Sequence, residues 1–257
     1  MILQFVALIT KSIMHISLVP ETLFHIGPLA VTNSLFTSWL AVLVIVLIAV
    51  AFSAGLRKIP GRFQNLIEFV VESLLNFMET VAGDRERAKK FFAIVATIFI
   101  YILVANWMGI LPGVGSIGFT EVSHGEETFV PLLRSVHSDL NMTLSLGIFV
   151  VLLSHIFGFM TSGIRHLGNF FTLRDFGSSF SGILEIVGEI SKIVSLGFRL
   201  FGNIFAGEVL LAIIGMLLPY VVPLPFLGLE IFVGFIQALI FATLAMTSFA
   251  TWTRPAH

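Results

Sequence analysis

Five long apolar runs set the pattern of the chain. They are continuous rather than alternating, which favours membrane-spanning α-helices over the strands of a membrane β-barrel. Each contains at least the roughly 20 residues that a helix needs to cross a bilayer, and the fourth is near twice that length, so it must tilt, kink or protrude. The sequence therefore predicts an all-α integral membrane protein with five membrane-embedded helices. The predicted spans are residues 34–56, 91–111, 139–164, 178–218 and 226–252.

A sixth helix is predicted between the first two spans, over residues 60–88. Its apolar side chains recur at helical spacing, whereas Glu68, Glu72 and Glu79 fall largely off that stripe. This pattern is typical of an amphipathic helix lying in the membrane interface, and a helix facing water is the alternative. The apolar positions are Phe63, Leu66, Ile67, Val70, Leu74, Phe77 and Met78.

Residues 1–33 are predicted to be a retained extramembrane segment of a single membrane domain over residues 1–257. Lys11 follows the first short apolar run, whereas a secretory signal places its positive charge before the apolar core. We find no internal repeat and no second domain in the sequence.

Composition narrows the class further. Hydrophobic residues make up 57% of the chain and charged residues only 11%, against roughly 25% charged in an ordinary soluble domain. The net charge of −1 gives no sign of nucleic acid binding, and the absence of cysteine excludes disulfides and thiol catalysis. No cofactor or metal ion is expected.

The basic residues predict an orientation. With five spans, ten of the fourteen Lys and Arg residues fall on one side of the membrane, which the positive-inside rule assigns to the cytoplasm or matrix. The N-terminus is then outside and the C-terminus inside. The ten residues are Arg57, Lys58, Arg62, Arg85, Arg87, Lys89, Lys90, Arg165, Arg174 and Arg254.

Ionisable residues within the last three spans are the candidates for function. Such groups are costly in a bilayer and mark an ion path by default. They are Asp139, Glu185, Glu189, Lys192, Arg199, Glu208 and Glu230.

Arg199 lies on a helical stripe of small residues in the fourth span, and such a stripe lets another helix approach closely. We predict that the approaching helix belongs to another subunit, with packing against the fifth span as the alternative. Glu185 lies about 21 Å before Arg199 along an ideal helix, and Glu208 lies about 14 Å after it on the opposite side. This arrangement predicts two polar pockets, open to opposite sides, with a fixed positive charge between them. The small residues are Gly188, Ser191, Ser195, Gly202 and Ala206.

The fifth span also carries polar residues on one face, because Glu230 and Gln237 lie on the same side of the helix. We predict that Glu208 and Glu230, with Asp139 and Asn203, form an outer proton-accessible site. Each has a plainer alternative: Glu230 as a residue reaching from the helix start towards the interface, and Gln237 as an interhelical hydrogen bond. The plainer reading of Lys192 is an ion pair with Glu189 or Glu185, and that of His155 is a structural role.

The segment SKIVSLGFRLFGNIFAGEVLL, residues 191–211, closely resembles the signature of subunit a of F-type ATP synthase, the membrane stator beside the rotating c-ring. Three further segments support the resemblance, which covers about residues 20–253 and leaves the first 19 without a counterpart. They are ANWMGILPG at 105–113, SDLNMTLSL at 138–146 and LEIFVGFIQALIFATL at 229–244.

The resemblance implies roles for the candidate residues. Arg199 would interact with the ring carboxylate and separate two half-channels. Glu208 and Glu230 would form the polar pair of the outer half-channel, although some family members have histidine at the position of Glu230. Asn203 and Gln237 would be polar partners near the arginine, Asp139 would lie on the outer access route, and Glu185 at the inner half-channel.

The resemblance also implies the partners of the chain and the membrane in which it lies. The partners are a c-ring of small hairpin subunits, b-type peripheral stalk subunits and the lipid bilayer. The last two spans would form a long tilted hairpin curved against the ring. The place is an energy-transducing membrane, with the bacterial plasma membrane favoured over the mitochondrial inner membrane.

Three other functions stay open at this point. One is a sodium-translocating version of the same subunit. A self-contained secondary transporter should show an inverted repeat, and we find none. An intramembrane hydrolase needs a nucleophile with a positioned base, and no Gly-x-Ser-x-Gly motif occurs in the sequence. We therefore expect no covalent chemistry from the chain itself.

Overall fold

The computed structural model describes residues 19–111, 113–123, 126–168, 176–218 and 221–253. Within these ranges the chain is mainly helical, and five of its helices (α1, α3, α4, α6 and α7) are long and apolar enough to cross a membrane. The predicted all-α membrane fold is therefore confirmed. Lys11, Arg174 and Arg254, used above for the orientation or for the N-terminal segment, lie outside the described residues. The helices are α1 Asn33–Ala54, α2 Arg62–Ala82, α3 Arg85–Ile110, α4 Leu140–Ser162, α5 Arg165–Gly168, α6 Phe176–Leu217 and α7 Pro223–Trp252.

The break between α2 and α3 falls earlier than the sequence pattern predicts. Gly83 ends α2 in the left-handed conformation, with φ of 72°, and its N–H donates to the carbonyl of Glu79. The carboxylate of Asp84 then accepts from the backbone N–H of Arg87, as N-cap residues do. As a result α2 stops at Ala82 rather than residue 88, and α3 begins at Arg85 rather than residue 91.

Much of the apolar surface of α2 is exposed. Phe63 and Phe69 are 70% and 68% exposed, and Leu66 and Val70 are also exposed. The buried residues of this helix are Met78 and Ala82, near its end. This surface supports the prediction of an interfacial helix, because a bilayer would cover it.

Two short antiparallel hairpins lie outside the spans, and the sequence analysis does not predict them. The first pairs β1 Thr22–Ile26 with β2 Leu29–Thr32, and the second pairs β3 Gly118–Ser123 with β4 Glu126–Pro131. Gly27 makes the first turn at φ of 61°. Each strand has at most six residues, so its alternation is too short to stand out beside the long apolar runs.

The chain divides into two compact units. One unit takes in the described residues up to Ile45, Tyr101–Met142 and Arg199–Gln237. Its core includes Ala41, Ala105 and Val136. The small side chains of this core let the packed segments approach closely.

The other unit takes in Val46–Ile100, Thr143–Phe198 and the described residues from Ala238 onwards. Phe91, Phe157 and Phe249 form a triangle of rings whose centroids are 4.9 to 5.7 Å apart. Helices α4 and α6 meet at glycines, since a Cβ on Gly147 would lie 3.0 Å from the carbonyl oxygen of Ile193. Each unit is thus held by its own packing.

Replacing Gly83 by Ala should destabilise the chain by about 1–2 kcal/mol, because a Cβ disfavours the left-handed conformation by that amount. Asn tolerates this conformation, so Gly83→Asn should recover most of the loss. The measurement is thermal unfolding of the purified chain in detergent, followed by circular dichroism. Equal stability of the Ala variant and the original chain would contradict the role given to Gly83.

Candidate functional site

Two carboxyl groups from successive helices form the centre of the site. Glu230 of α7 is buried, and its carboxyl group faces Gly207 of α6 so closely that a Cβ on Gly207 would overlap it. Glu208 follows Gly207, and its Oε2 is buried with no hydrogen-bond partner in the part of the chain that the structure describes. Glycine at position 207 is therefore what lets the Glu230 carboxyl lie against α6.

Both carboxyl-bearing residues line a cavity of about 580 Å³. Its wall also includes Asn106, Gly109, Arg134 and Ser135, all within the same compact unit. Glu208 and Glu230 thus line the same cavity, and their role as an outer proton site stays a prediction.

The end of α3 fixes the part of α7 that carries Glu230. Asn106 donates from Nδ2 to the carbonyl oxygen of Gly234 at 3.0 Å, and Trp107 donates from Nε1 to that of Ile231 at 3.2 Å. These carbonyls lie one and four residues after Glu230 in the sequence. Neither Asn106 nor Trp107 is among the residues predicted for the site, although both lie in the segment ANWMGILPG.

His137 orients the amide of Asn106 from the other side. Since the Asn106 amide nitrogen donates to Gly234, its Oδ1 is the acceptor, and His137 Nδ1 donates to it at 2.7 Å. His137 is fully buried, and its Nε2 has no hydrogen-bond partner among the described residues. Burial lowers the pKa of His137 to about 3. The ring is therefore neutral at any physiological pH.

Asp139 is held by two hydrogen bonds outside the cavity lining. Its carboxylate is buried and accepts from Ser34 Oγ at 2.7 Å and from the backbone N–H of Asn141 at 2.9 Å. The second bond places Asp139 as the cap of α4. It is not among the residues that line the cavity. A role on the outer access route stays a prediction for Asp139.

Arg199 lies on an exposed face of α6. Asn203 is also exposed, and its Nδ2 donates to the carbonyl oxygen of Arg199 at 2.9 Å. A Cβ added at Gly188 or Gly202 would meet no atom within 4 Å. Every small residue of the predicted stripe is exposed, so the structure leaves this face uncovered rather than packed against the fifth span. They are Gly188, Ser191, Ser195, Gly202 and Ala206.

The two remaining candidates differ in burial. Gln237 is buried on α7, whereas Glu185 is exposed on α6. Neither lines the cavity. Their assigned places beside the arginine and at the inner half-channel stay predictions.

Fold and site together define a multi-pass membrane protein that carries an ionisable pair inside its apolar helices. Comparison with known proteins gives the family. The chain matches the model of the family described as "ATP synthase A chain" over residues 35–249. It therefore belongs to the ATP synthase subunit a family, and it is a membrane-sector subunit of the ATP synthase complex.

Relatives of known name agree over most of the chain. The ATP synthase subunit a of Trichlorobacter lovleyi is 31% identical over 226 residues, which cover 88% of this chain and 89% of the relative. That of Geotalea daltonii is 30% identical over 209 residues, or 81% and 82% of the two chains. That of Geobacter sulfurreducens is 31% identical over 209 residues, again 81% and 82%.

Replacing Gly207 by Ala is expected to destabilise the protein by about 1–3 kcal/mol, because an added methyl group in a filled site forces its neighbours apart. Gly215→Ala in the same helix is the matched control, since a Cβ there meets open space. Adding Glu230→Asp to Gly207→Ala should restore part of the loss, because the shorter side chain withdraws the carboxyl. Thermal unfolding measures all three variants. The close approach is refuted if Gly207→Ala and Gly215→Ala are equally stable.

His137 should make stability depend on pH. The folded chain keeps the ring neutral down to about pH 3, whereas the unfolded chain protonates it below about 6.5. Between those values the unfolded state binds the extra proton, so stability should rise with pH by up to about 1.4 kcal/mol per unit and be constant above the window. His137→Gln should remove this component from the pH series of unfolding temperatures. An unchanged slope in the variant would contradict the assignment.

Proposed function

We propose that this subunit conducts protons between the two membrane faces and a carboxyl group presented by a ring of small hairpin subunits. The observation that carries the proposal is the convergence of Glu208 and Glu230 on one cavity, with Gly207 allowing the approach. Carboxyl groups held this way can accept a proton from water and pass it on without covalent chemistry.

The first step of the proposed path is delivery. A proton enters the cavity, binds to the Glu208–Glu230 pair and moves to the ring carboxylate. The neutral ring carboxyl can then face lipid, whereas the ionised form would carry the high cost of a charge in hydrocarbon. Rotation of the ring moves the protonated site away and brings the next one in.

Arg199 is the proposed barrier between entry and exit. Its charge lies on an exposed face of small residues, where a helix of another subunit can come close. A fixed cation attracts an ionised ring carboxylate, favours loss of its proton and repels protons that would cross directly. Asn203 and Gln237 are proposed as polar partners of this step.

Release follows on the other face, with Glu185 as the proposed acceptor at the inner half-channel. The N-terminus would lie outside and the C-terminus inside. One charge crossing the membrane is worth only about 2.3 kcal/mol per 100 mV. Several transfers must therefore be added together, which fits a rotating partner, while peripheral stalk subunits would hold this chain still.

Replacing Arg199 by Ala should abolish ATP synthesis driven by a proton gradient, because entry and exit would no longer be separated. Arg199→Lys keeps the charge but changes its position and hydrogen-bonding geometry, so it should also impair synthesis. The matched control is Arg85→Ala, which removes an exposed ion pair with Glu79. The measurement is ATP synthesis by the purified complex in liposomes after an imposed gradient.

Normal synthesis by the Arg199→Ala complex would refute the proposal. The same liposomes test the sodium alternative. Synthesis driven by a sodium gradient without a proton gradient would replace the proton by sodium as the transported ion.

A further inference from the structure

Four polar side chains form a row in the unit that contains α4 and the first part of α6. Lys192 Nζ lies 2.7 Å from Glu189 Oε1. Glu189 Oε2 lies 3.5 Å from His155 Nε2, and His155 Nδ1 lies 3.2 Å from His166 Nε2. The structure thus contains the Lys192–Glu189 ion pair and extends it through two imidazole rings.

Close packing holds both rings in place. The ring centroid of Trp252 lies 5.2 Å from that of His155 and 4.7 Å from that of His166. Gly158 leaves room for His166, because a Cβ there would lie 2.5 Å from the His166 Cε1 atom. The row joins α4, α5 and α6, and Trp252 of α7 packs against both of its rings.

The contact between Glu189 and His155 indicates which atoms of the row share a proton. The residue is 8% exposed, and its Oε2 has no hydrogen-bond partner among the described residues. An ionised carboxylate has only acceptors, and a neutral imidazole has one nitrogen without hydrogen. Two such lone pairs repel each other at short distance. The contact between Glu189 Oε2 and His155 Nε2 is therefore favourable when one of the two atoms carries a proton.

We propose that Glu189 and His155 are a proton-transfer pair on the inner proton path of this subunit. This inference rests on the proposed function and adds to it two residues that the predicted path does not contain. Glu189 lies four residues after Glu185 in α6 and ten before Arg199 in the sequence. The row offers the released proton a route that begins in α6, the helix that also carries Glu185 and Arg199.

The transfer balances as a sequence of proton moves. The O–H bond at Glu189 Oε2 breaks and an N–H bond forms at His155 Nε2. His155, whose side chain is 26% exposed, then gives up one proton to water, and His166 keeps its own proton throughout. Glu189 is left as a carboxylate beside the ammonium group of Lys192, and both rings end neutral. One proton has left the row.

The surroundings of His166 lower its pKa. Burial is the main cause that lowers the pKa of His166, the nearby His155 lowers it further, and Glu189 raises it. His166 therefore favours its neutral form beside His155.

The test compares ATP-driven proton uptake by the complete purified complex in liposomes, at a series of pH values. Glu189→Gln and His155→Gln keep a polar side chain at each position but remove the group that can take up and release a proton. We expect each to lower the initial rate about tenfold, equal to a barrier increase of about 1.4 kcal/mol, and to change the pH dependence of the rate. The control is Glu72→Gln, an exposed carboxyl on α2, with rates normalised to assembled complex.

A second measurement separates transfer from bracing. If the row only braced the helices, the variants would change thermal stability but leave the pH profile of the rate as in the original complex. Replacing water by deuterium oxide should lower the uptake rate of the original complex by a larger factor than that of the Glu189→Gln or His155→Gln complex. The reason is that the variants no longer use this proton transfer.

Glu230→Gln is the reference for the proposed function. If it blocks uptake while both row variants retain the original rate and pH profile, the relay is refuted and the proposed function stands. If Glu230→Gln pumps normally, the outer path itself is wrong and the relay that rests on it is refuted with it.

Discussion

An ionisable group inside an apolar slab needs a counter-charge, a hydrogen-bond partner, a proton or water, and this constraint organises the chain. Removing an ion from water costs several kcal/mol even after the protein relaxes. Asp139 meets the constraint with Ser34 and a backbone N–H. Lys192 meets it with Glu189. Glu208 and Glu230 meet it by lining a cavity. Asp139 and Lys192 thus rely on direct protein partners, whereas Glu208 and Glu230 face a cavity.

Glycine is the means by which polar groups come close enough in this fold. A helix normally keeps neighbours away with its side chains, and a missing Cβ removes that barrier. Gly207 admits the carboxyl of Glu230, and Gly158 admits the ring of His166. At Gly234 the buried backbone carbonyl accepts a hydrogen bond from Asn106. The glycines thus set how closely these polar groups can approach one another.

The spans could be predicted from the sequence because long apolar runs have one stable arrangement in a bilayer, with every backbone group bonded inside its own helix. The pair Glu208 and Glu230 could also be predicted, since helical counting and the family resemblance point to the same residues. The position of Asp139 could not be derived this way. Its partner Ser34 is 105 residues away, and nothing in the local pattern shows that contact.

The hydrogen bonds that hold α7 at Gly234 and Ile231 could not be predicted for a related reason. Asn106 and His137 lie in segments whose local pattern is simply apolar or turn-like, and their bond joins residues 31 positions apart. Sequence spacing shows which residues share a helix face, whereas tertiary contacts depend on packing between helices. The row from Lys192 to His166 is a mixed case: its first pair follows helical spacing of three residues, and its two histidines require the fold.

The uncovered face of α6 explains why this chain works as a subunit. Short side chains contribute little when they face lipid, because burial energy follows apolar area, so a stripe of Gly, Ser and Ala has no evident benefit for the isolated chain. The same stripe permits close approach by another helix, and Arg199 lies in it. A cation at the close-contact surface gains most from an anionic partner brought to it by that other helix. In the proposed path, therefore, this chain supplies the barrier and the proton-binding groups, and the group that accepts the proton arrives on its partner.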